Sequence, residues 1–312
     1  MKKSKGIRKK GSLGQVRKIV VYEAIKELHE EKGYAILPMC KFMQVTRSAY
    51  LRWIDHPYSE RTLENMELAK VIRTIHDEHP EKGYRSINDT LNREHAIHVN
   101  DKRVLRICRH EGIQSTIKHS TNSITKRSSR PYHTVENILD REFTAEAPNQ
   151  KWLTDVTEFK YYVGPKVQKL YLSAILDLYD RRIVSYVIRD TNDLTLVFDT
   201  FDQAVALEPD AHPLFHSDRG FQYTHVNFYK RIVTAEMTQS MSQAGKCIDN
   251  GPMEGFWGII KREQYYGKKF TSRSELVTMI DSYINYYNNG RYQRKLHILT
   301  PMEYHSQYYE AA

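Results

Sequence analysis

Three acidic residues occupy positions where carboxylates do chemistry. Asp155 lies inside a β-prone run, WLTDVTEF, where an ionised side chain is costly unless it faces a site or a partner. Asp218 closes the short strand-like segment PLFHSD, just before RGFQY, and Glu254 follows DNGPM on what reads as the first turn of a helix. In a sheet with flanking helices, strand ends and adjacent helix starts are where sites form. Carboxylates meeting there repel one another unless cations intervene. Hard divalent ions with oxygen ligands suit such a set, Mg²⁺ or Mn²⁺ above all. Two ions roughly 4 Å apart would clamp the attacking and leaving oxygens of an in-line phosphoryl displacement. Spacing by itself does not choose this triplet from 38 acidic residues. Asp177, in ILDLYDRR, and Asp249, before Asn250, compete for the role.

The surrounding elements can be read from periodicity. KWLTDVTEFKYY, KLYLSAILDLY and RIVSYVIRD are β-prone runs joined by polar turns. A helix is predicted from about Leu194 to Leu207, then a short strand, a helix near 224–234, a short strand near MTQSM and a helix from about Pro252. Strands first and strands alternating with helices later indicate an α/β core, a mixed sheet with helices on both faces.

The first half reads as all-α. Val20, Val21, Ala24, Ile25 and Leu28 fall at helical spacing. LPMCKFMQVTRSAYLRW then suggests a helix-turn-helix, with Met39, Cys40 and Met43 burying one helix and Thr46 capping the next. That second helix would offer Arg47, Ser48, Tyr50 and Arg52 to a DNA groove, although any small helical bundle could share the pattern. Further on, Leu68, Val71, Ile72 and Ile75 form an apolar stripe, and Asn100 caps DKRVLRICRHEG, which ends at Gly112. Val104, Leu105 and Cys108 are its expected buried face. Lys102, Arg103, Arg106 and Arg109 form a basic face suited to phosphates, or simply to solvent. The predicted organisation is a basic arm over 1–18, a helix-turn-helix-like segment over 19–60, a second helical DNA-binding module over 61–115, a linker over 116–147 and the core over 148–312.

Charge divides along the same line. Residues 1–150 carry 28 Lys and Arg against 19 Asp and Glu, whereas residues 151–312 carry 19 of each. The whole excess of +9 therefore sits in the first half, which points to a polyanionic partner there, or to a bias for solubility. No apolar run approaches the roughly 18–20 residues of a membrane span, so no membrane partner is expected and the chain is assigned to the cytoplasm, at the nucleoid. Cys40, Cys108 and Cys247 form no CxxC pair and are read as reduced thiols. His95, His98 and His110 near Cys108 hint at zinc, but paired His and paired Cys ligands are missing.

WLTDVTEF, HSDRGFQY and DNGPMEGFWGIIKRE resemble the three catalytic motifs of retroviral-integrase-like transposases. More closely, they resemble bacterial insertion-sequence transposases of the family whose type member is insertion sequence 3. The 35 residues between Asp218 and Glu254 match that family's triad. YYNNGRYQRKLHILTPMEY and EKGYRSINDTLNREHAIHVNDKRVLRICRHEGI resemble its C-terminal ending and upstream helical module, so the likeness spans roughly residues 35–305. The resemblance implies a ribonuclease-H-like core, with Asp155, Asp218 and Glu254 as ligands of two Mg²⁺ or Mn²⁺ ions. It implies metal-dependent DNA cleavage and strand transfer at the terminal inverted repeats of a mobile element, and into target DNA. Lys261, seven residues after Glu254, matches a basic residue that this family places on DNA. Asp177 matches a recurrent aspartate outside the triad, and Gly251 stands where alanine is frequent. Gln222 and Tyr223 are further candidate DNA contacts, whereas Trp152, Trp257 and His216 read as structural. A homo-oligomer of at least two copies on DNA is expected. So is a possible upstream-frame product as fusion or partner, since the first 60 residues show no sustained heptads. The competing reading is a catalytically silent DNA-binding regulator or inhibitor of transposition.

Overall fold

The computed structural model describes residues 13–56, 58–117, 133–243 and 247–311. Most of the expected basic arm, and residues 118–132 of the expected linker over 116–147, lie outside them. The chain divides into two compact units, 1–74 and 75–312.

The first unit holds α1 (Leu13–Lys32), α2 (Ile36–Phe42), α3 (Arg47–Asp55) and most of α4 (Glu60–Glu78). Thr46 caps α3 as its type predicts, its Oγ1 accepting the Ala49 N–H at 3.3 Å. Tyr22, Ile25, Cys40 and Tyr50 form the small core, with Met39, Met43 and Trp53 packed around it. This corrects the sequence reading of Tyr50. Its ring is fully buried, so it is core and not groove surface, whereas Arg47 and Arg52 are exposed. The α3 stripe that meets α1 and α2 takes the tyrosine, because an aromatic ring covers more apolar area than the serine or arginines beside it.

The second unit begins with α5 (Tyr84–Glu94) and α6 (Asp101–Glu111). Asn100 Oδ1 accepts the Lys102 N–H, and Gly112 ends α6 at φ +70°. The buried face of α6 is Val104, Ile107 and Cys108, with Leu105 half-buried. Lys102, Arg106 and Arg109 are exposed and Arg103 is half-buried.

A five-stranded sheet follows, in the order β3-β2-β1-β4-β5. It comprises β1 (Lys151–Val163), β2 (Lys166–Asp177), β3 (Ile183–Arg189), β4 (Leu214–Ser217) and β5 (Thr238–Met241). The first three are antiparallel, and β4 and β5 run parallel to β1. The parallel pairs need crossovers, and α7 (Leu194–Leu207) and α8 (Val226–Thr234) supply them. These helices cover one face of the sheet around Trp152, Phe201, Phe215 and Phe228. The other face packs Leu153, Phe159, Leu172 and Leu176 against α9 (Gly251–Ile260) and α10 (Arg273–Asn289). α11 (Pro301–Ala311) closes the chain. The mixed sheet with helices on both faces is the architecture that the element order predicts.

The boundaries differ from the predicted ones in two places. Residues 133–147 belong to the core: Leu139 is buried in it, and Ser240 Oγ accepts the Ile138 and Leu139 N–H groups. α5 and α6, from the expected second helical module, also join the core. Arg294 donates to Asp89 and Asp101 on α5 and α6, Arg93 pairs with Glu303, and Tyr292 donates to Glu94.

Candidate active site

Parallel pairing sets Asp155 against Asp218. Lys151, Trp152 and Leu153 pair with Leu214, Phe215 and His216. Two residues further along the same register stand Asp155 on β1 and Asp218, the residue that follows the end of β4. Residues in register on parallel neighbours point to the same face of a sheet. Asp155 shares its face with Leu153 and Phe159, the face covered by α9.

The surroundings of Asp155 keep its carboxyl hard to ionise. Its pKa is pushed up to about 7, first by burial, then by the charge of Asp218, with a smaller push from Glu254. The Val156 N–H and the Trp257 indole oppose the shift, and Trp257 Nε1 donates to Asp155 Oδ2 at 3.0 Å. Asp218 has one side open to solvent, while protein on the other raises its carboxyl above the usual range. Its Oδ1 accepts the Gly220 N–H at 2.8 Å. A Cβ on Gly220 would come within 2.9 Å of that same oxygen, so a larger residue there would displace the Asp218 carboxylate.

Glu254 stands exposed on the first turn of α9. The protein around it raises its pKa, and it makes no hydrogen bond or ion pair with the described residues. Pro252 near the start of α9 removes an N–H that the first turn could not satisfy. Asn250 ties this end of α9 to the sheet, donating from Nδ2 to the Thr154 carbonyl at 3.0 Å. That bond falls beside Asp155 and sets the height of the helix over the strand. Among the described residues, no three His, Cys, Asp or Glu side chains stand close enough to enclose an ion by themselves. Asp155 feels the charge of Asp218 and, more weakly, that of Glu254 at the start of α9.

Lys261 begins a π-helical turn, Lys261–Tyr265, that continues α9. Its Nζ donates to Thr157 Oγ1 at 2.6 Å and lies 5.1 Å from the centre of the Phe159 ring. Burial lowers its pKa, while Asp155 and Glu158 work against that shift. Sequence spacing put Lys261 on one face with Glu254. The structure turns it down onto β1, two residues beyond Asp155.

Other candidates take structural places. Asp177 is fully buried at the far end of β2, bound by the Asn149 and Tyr179 N–H groups and the Trp152 indole. Its pKa is pushed up to about 6, by burial and then by Asp180. Asp249 pairs with Arg141 at 2.7 Å and accepts the Gln243 N–H. His216 is buried between Ser240 and Ser242, and burial lowers its pKa to about 4. Gln222 and Tyr223 correct the sequence reading. Gln222 is 4% exposed and donates to Asn192, and Tyr223 lies under the site with its hydroxyl 3.3 Å from Thr154 Oγ1. The tight turn at Gly220 draws both side chains inward. The sequence motifs point to Asp155, Asp218 and Glu254, but not to the contacts that Asn250 and Trp257 make on β1. The DNGPMEGFW motif contains both, yet spacing carries no sign of which atoms they meet on β1.

Residues 145–247 match the model of an integrase core domain, and residues 254–309 match a second integrase core domain model. Residues 63–121 match an HTH-like domain. An uncharacterized transposase-like protein of Haemophilus influenzae is 38% identical over 218 residues, covering 70% of this chain and 98% of its own. The putative transposase InsK for insertion sequence element IS150 of Escherichia coli is 35% identical, over 77% of this chain and 83% of its own. Transposase InsF for insertion sequence IS3A of Escherichia coli is 26% identical, over 85% of this chain and 91% of its own. Among solved structures, the HTLV-2 integrase catalytic core domain in complex with magnesium aligns at 19% identity and a TM-score of 0.40, over 51% of this chain and 98% of that one.

Proposed function

The chain belongs to the family of insertion-sequence transposases that includes those of IS150 and IS3A, and from that premise we propose that it cleaves and joins DNA at the ends of a mobile element through Asp155, Asp218 and Glu254. The observation that carries the reading is the register that sets Asp155 beside Asp218, with Glu254 on the helix facing them.

The donor set fits Mg²⁺ or Mn²⁺. It is all oxygen, it repels itself, and burial, with the charge of Asp218 next, pushes the Asp155 carboxyl up to about 7. Two such ions, when bound, would polarise a phosphate and stabilise the attacking and leaving oxygens of an in-line displacement. The protein contributes the rest. Asp155 offers its oxygens from β1, and Asp218 offers its own from the turn at the end of β4. Trp257 fixes the rotation of Asp155, and Asn250 holds α9 at the height that lets Glu254 face the pair. Lys261 brings a half-buried positive charge beside Asp155, where a phosphate would approach.

The DNA partners are the terminal inverted repeats and the target duplex. Arg47, Arg52, Lys102 and Arg106 are exposed on the helical segments and are proposed to position the duplex, with Arg103 in support. The acting species is at least a dimer on DNA, and the upstream-frame product can serve as its fusion or partner. No helix among the described residues is long and apolar enough to cross a membrane.

The test is cleavage and strand transfer on a labelled duplex carrying the element's own end, with Mg²⁺ or Mn²⁺. Wild type should form both products, and Asp155→Asn, Asp218→Asn and Glu254→Gln should form neither while remaining folded. Products from any of the three variants at wild-type rate would overturn the assignment of that residue.

A further inference from the structure

The catalytic half is neutral overall, yet its lysines are not evenly spread. β1 and β2 form a long hairpin that outruns the sheet. β4 pairs with β1 only over Lys151–Leu153, and β3 with β2 only over Tyr171–Leu176. The register of the hairpin itself continues to Val163↔Lys166, closed by a two-residue turn with Gly164 at φ +57°. Residues 161–170 therefore project past both neighbouring strands.

The projection is braced. The Tyr162 N–H donates to the Phe270 carbonyl at 2.9 Å. The Tyr265 hydroxyl accepts the Lys160 N–H and donates to the Lys160 carbonyl. The Tyr265 ring sits edge-on to Phe159 and stacks on Phe270. The bracing segment follows directly from α9, so both elements that carry proposed ligands, Asp155 and Glu254, extend into this one structure.

Its surface is basic and aromatic. Lys160, Lys166 and Lys169 are exposed on the hairpin, and Lys268 and Lys269 on the loop beside it. Lys269 Nζ lies 5.5 Å from the centre of the Tyr162 ring, and Tyr266 is exposed nearby. Against five lysines stands Glu158, which pairs with Lys169 and Lys160. Asp190 is already neutralised by Arg273. Lysines on a sheet edge often serve only to block pairing with other strands. Lys268 and Lys269 lie on no strand, so that role does not account for them.

We infer that the projecting β1–β2 hairpin and the Tyr266–Lys269 loop form a second DNA-binding surface that grips the sugar-phosphate backbone of a duplex beside the reacting phosphate. Strands rise about 3.3 Å per residue, so Lys160 lies roughly 17 Å along β1 from Asp155 and the turn roughly 27 Å. With base pairs rising about 3.4 Å along the helix axis, the surface would meet DNA about five to eight base pairs from the site. The inference takes the identity of the polyanion from the proposed function, but it does not depend on the three carboxylates.

The experiment is metal-free binding of the full chain to a fluorescent random-sequence 30-base-pair duplex across a NaCl series, so a failure of the carboxylate assignment leaves it untouched. Each lost phosphate contact lowers the slope of log affinity against log salt by about 0.9. The Lys166→Gln/Lys268→Gln/Lys269→Gln variant should bind roughly tenfold or more weakly near 0.1 M salt, with a slope shallower by about two to three. Lys230→Gln, on the distant α8, should change neither. Unchanged affinity and slope in the triple variant would overturn the inference. As a second readout on unmodified protein, acetylation of Lys166, Lys268 and Lys269 should be suppressed by the duplex while Lys230 reacts as before. Equal labelling with and without DNA would also overturn it.

Discussion

The indole N–H of Trp257 donates to Oδ2 of Asp155 at 3.0 Å, across 102 residues of sequence. One oxygen of the carboxylate is thereby held in place, and the other is left to turn toward Asp218. A hydrogen bond that orients a ligand changes metal affinity by about 10–100-fold when lost. Trp257→Phe keeps most of the packing against Phe256 and removes only the donor. The Mn²⁺ concentration for half-maximal strand transfer should rise by about tenfold, with little change in thermal midpoint. An unaltered metal dependence would show that the bond is packing alone.

The carboxylate cluster should make the metal-free protein less stable than its variants. Asp155 is raised to about 7 from an ordinary 3.8, so the folded state keeps a proton that the unfolded chain releases. Its contribution is complete below about pH 4 and fades as pH rises through 7. Asp155→Asn escapes the fading, and the carboxamide oxygen can still accept from Trp257. Scanning calorimetry in EDTA at pH 7.5 should place the variant a few degrees above wild type, and the gap should narrow at pH 5. A gap that widens toward pH 5 would reverse the argument.

His216 acts in the opposite direction. Burial between two serines lowers its pKa to about 4 from 6.5, so the unfolded chain takes up the proton first as pH falls. Stability is lost from about pH 6.5 down to 4, by an amount on the order of 3 kcal/mol. His216→Gln has no proton to take up. Denaturant midpoints measured from pH 7 to 4 should fall more steeply for wild type than for the variant. Parallel curves would mean that the imidazole does not carry the effect.

Arg294 holds the helical module on the core. Its guanidinium meets Asp89 at 2.9 Å and Asp101 at 2.8 Å, and it holds the Asp101 carboxyl down at about 2. Asp89 is only 7% exposed, so removing the arginine strands a poorly solvated charge. The arginine itself is partly open to solvent, which limits the loss to roughly 1–2 kcal/mol. Arg294→Met should raise amide exchange across α5 and α6 while leaving β1 and β2 protected. Uniform protection in the two proteins would show that other contacts suffice.

Tyr50 provides a check on the corrected helix-turn-helix. Its hydroxyl is buried without a hydrogen-bond partner among the described residues. Tyr50→Phe should therefore preserve or slightly raise stability and leave DNA affinity unchanged, whereas Tyr50→Ala should cost about 3–5 kcal/mol in the first unit. Weakened DNA binding by a stable Tyr50→Phe protein would restore the groove contact that the sequence suggested.

Local signals were legible because local atoms satisfy them. Thr46, Asn100 and Gly112 each close a helix end within four residues, so their types announce their roles. The order of strands and helices likewise follows from periodicity, and the motifs around Asp155, Asp218 and Glu254 singled out those carboxylates among 38 acidic residues. The tertiary structure alone decided where side chains point. The parallel register of β1 and β4 sets Asp155 beside Asp218. The packing of α9 brings Trp257 and Asn250 to β1. The same kind of packing turns Tyr50 and Gln222 from expected contacts into core, and draws residues 133–147 out of an expected linker. A side chain's direction depends on strand register and on which surface covers it, and both are set by partners tens to hundreds of residues away.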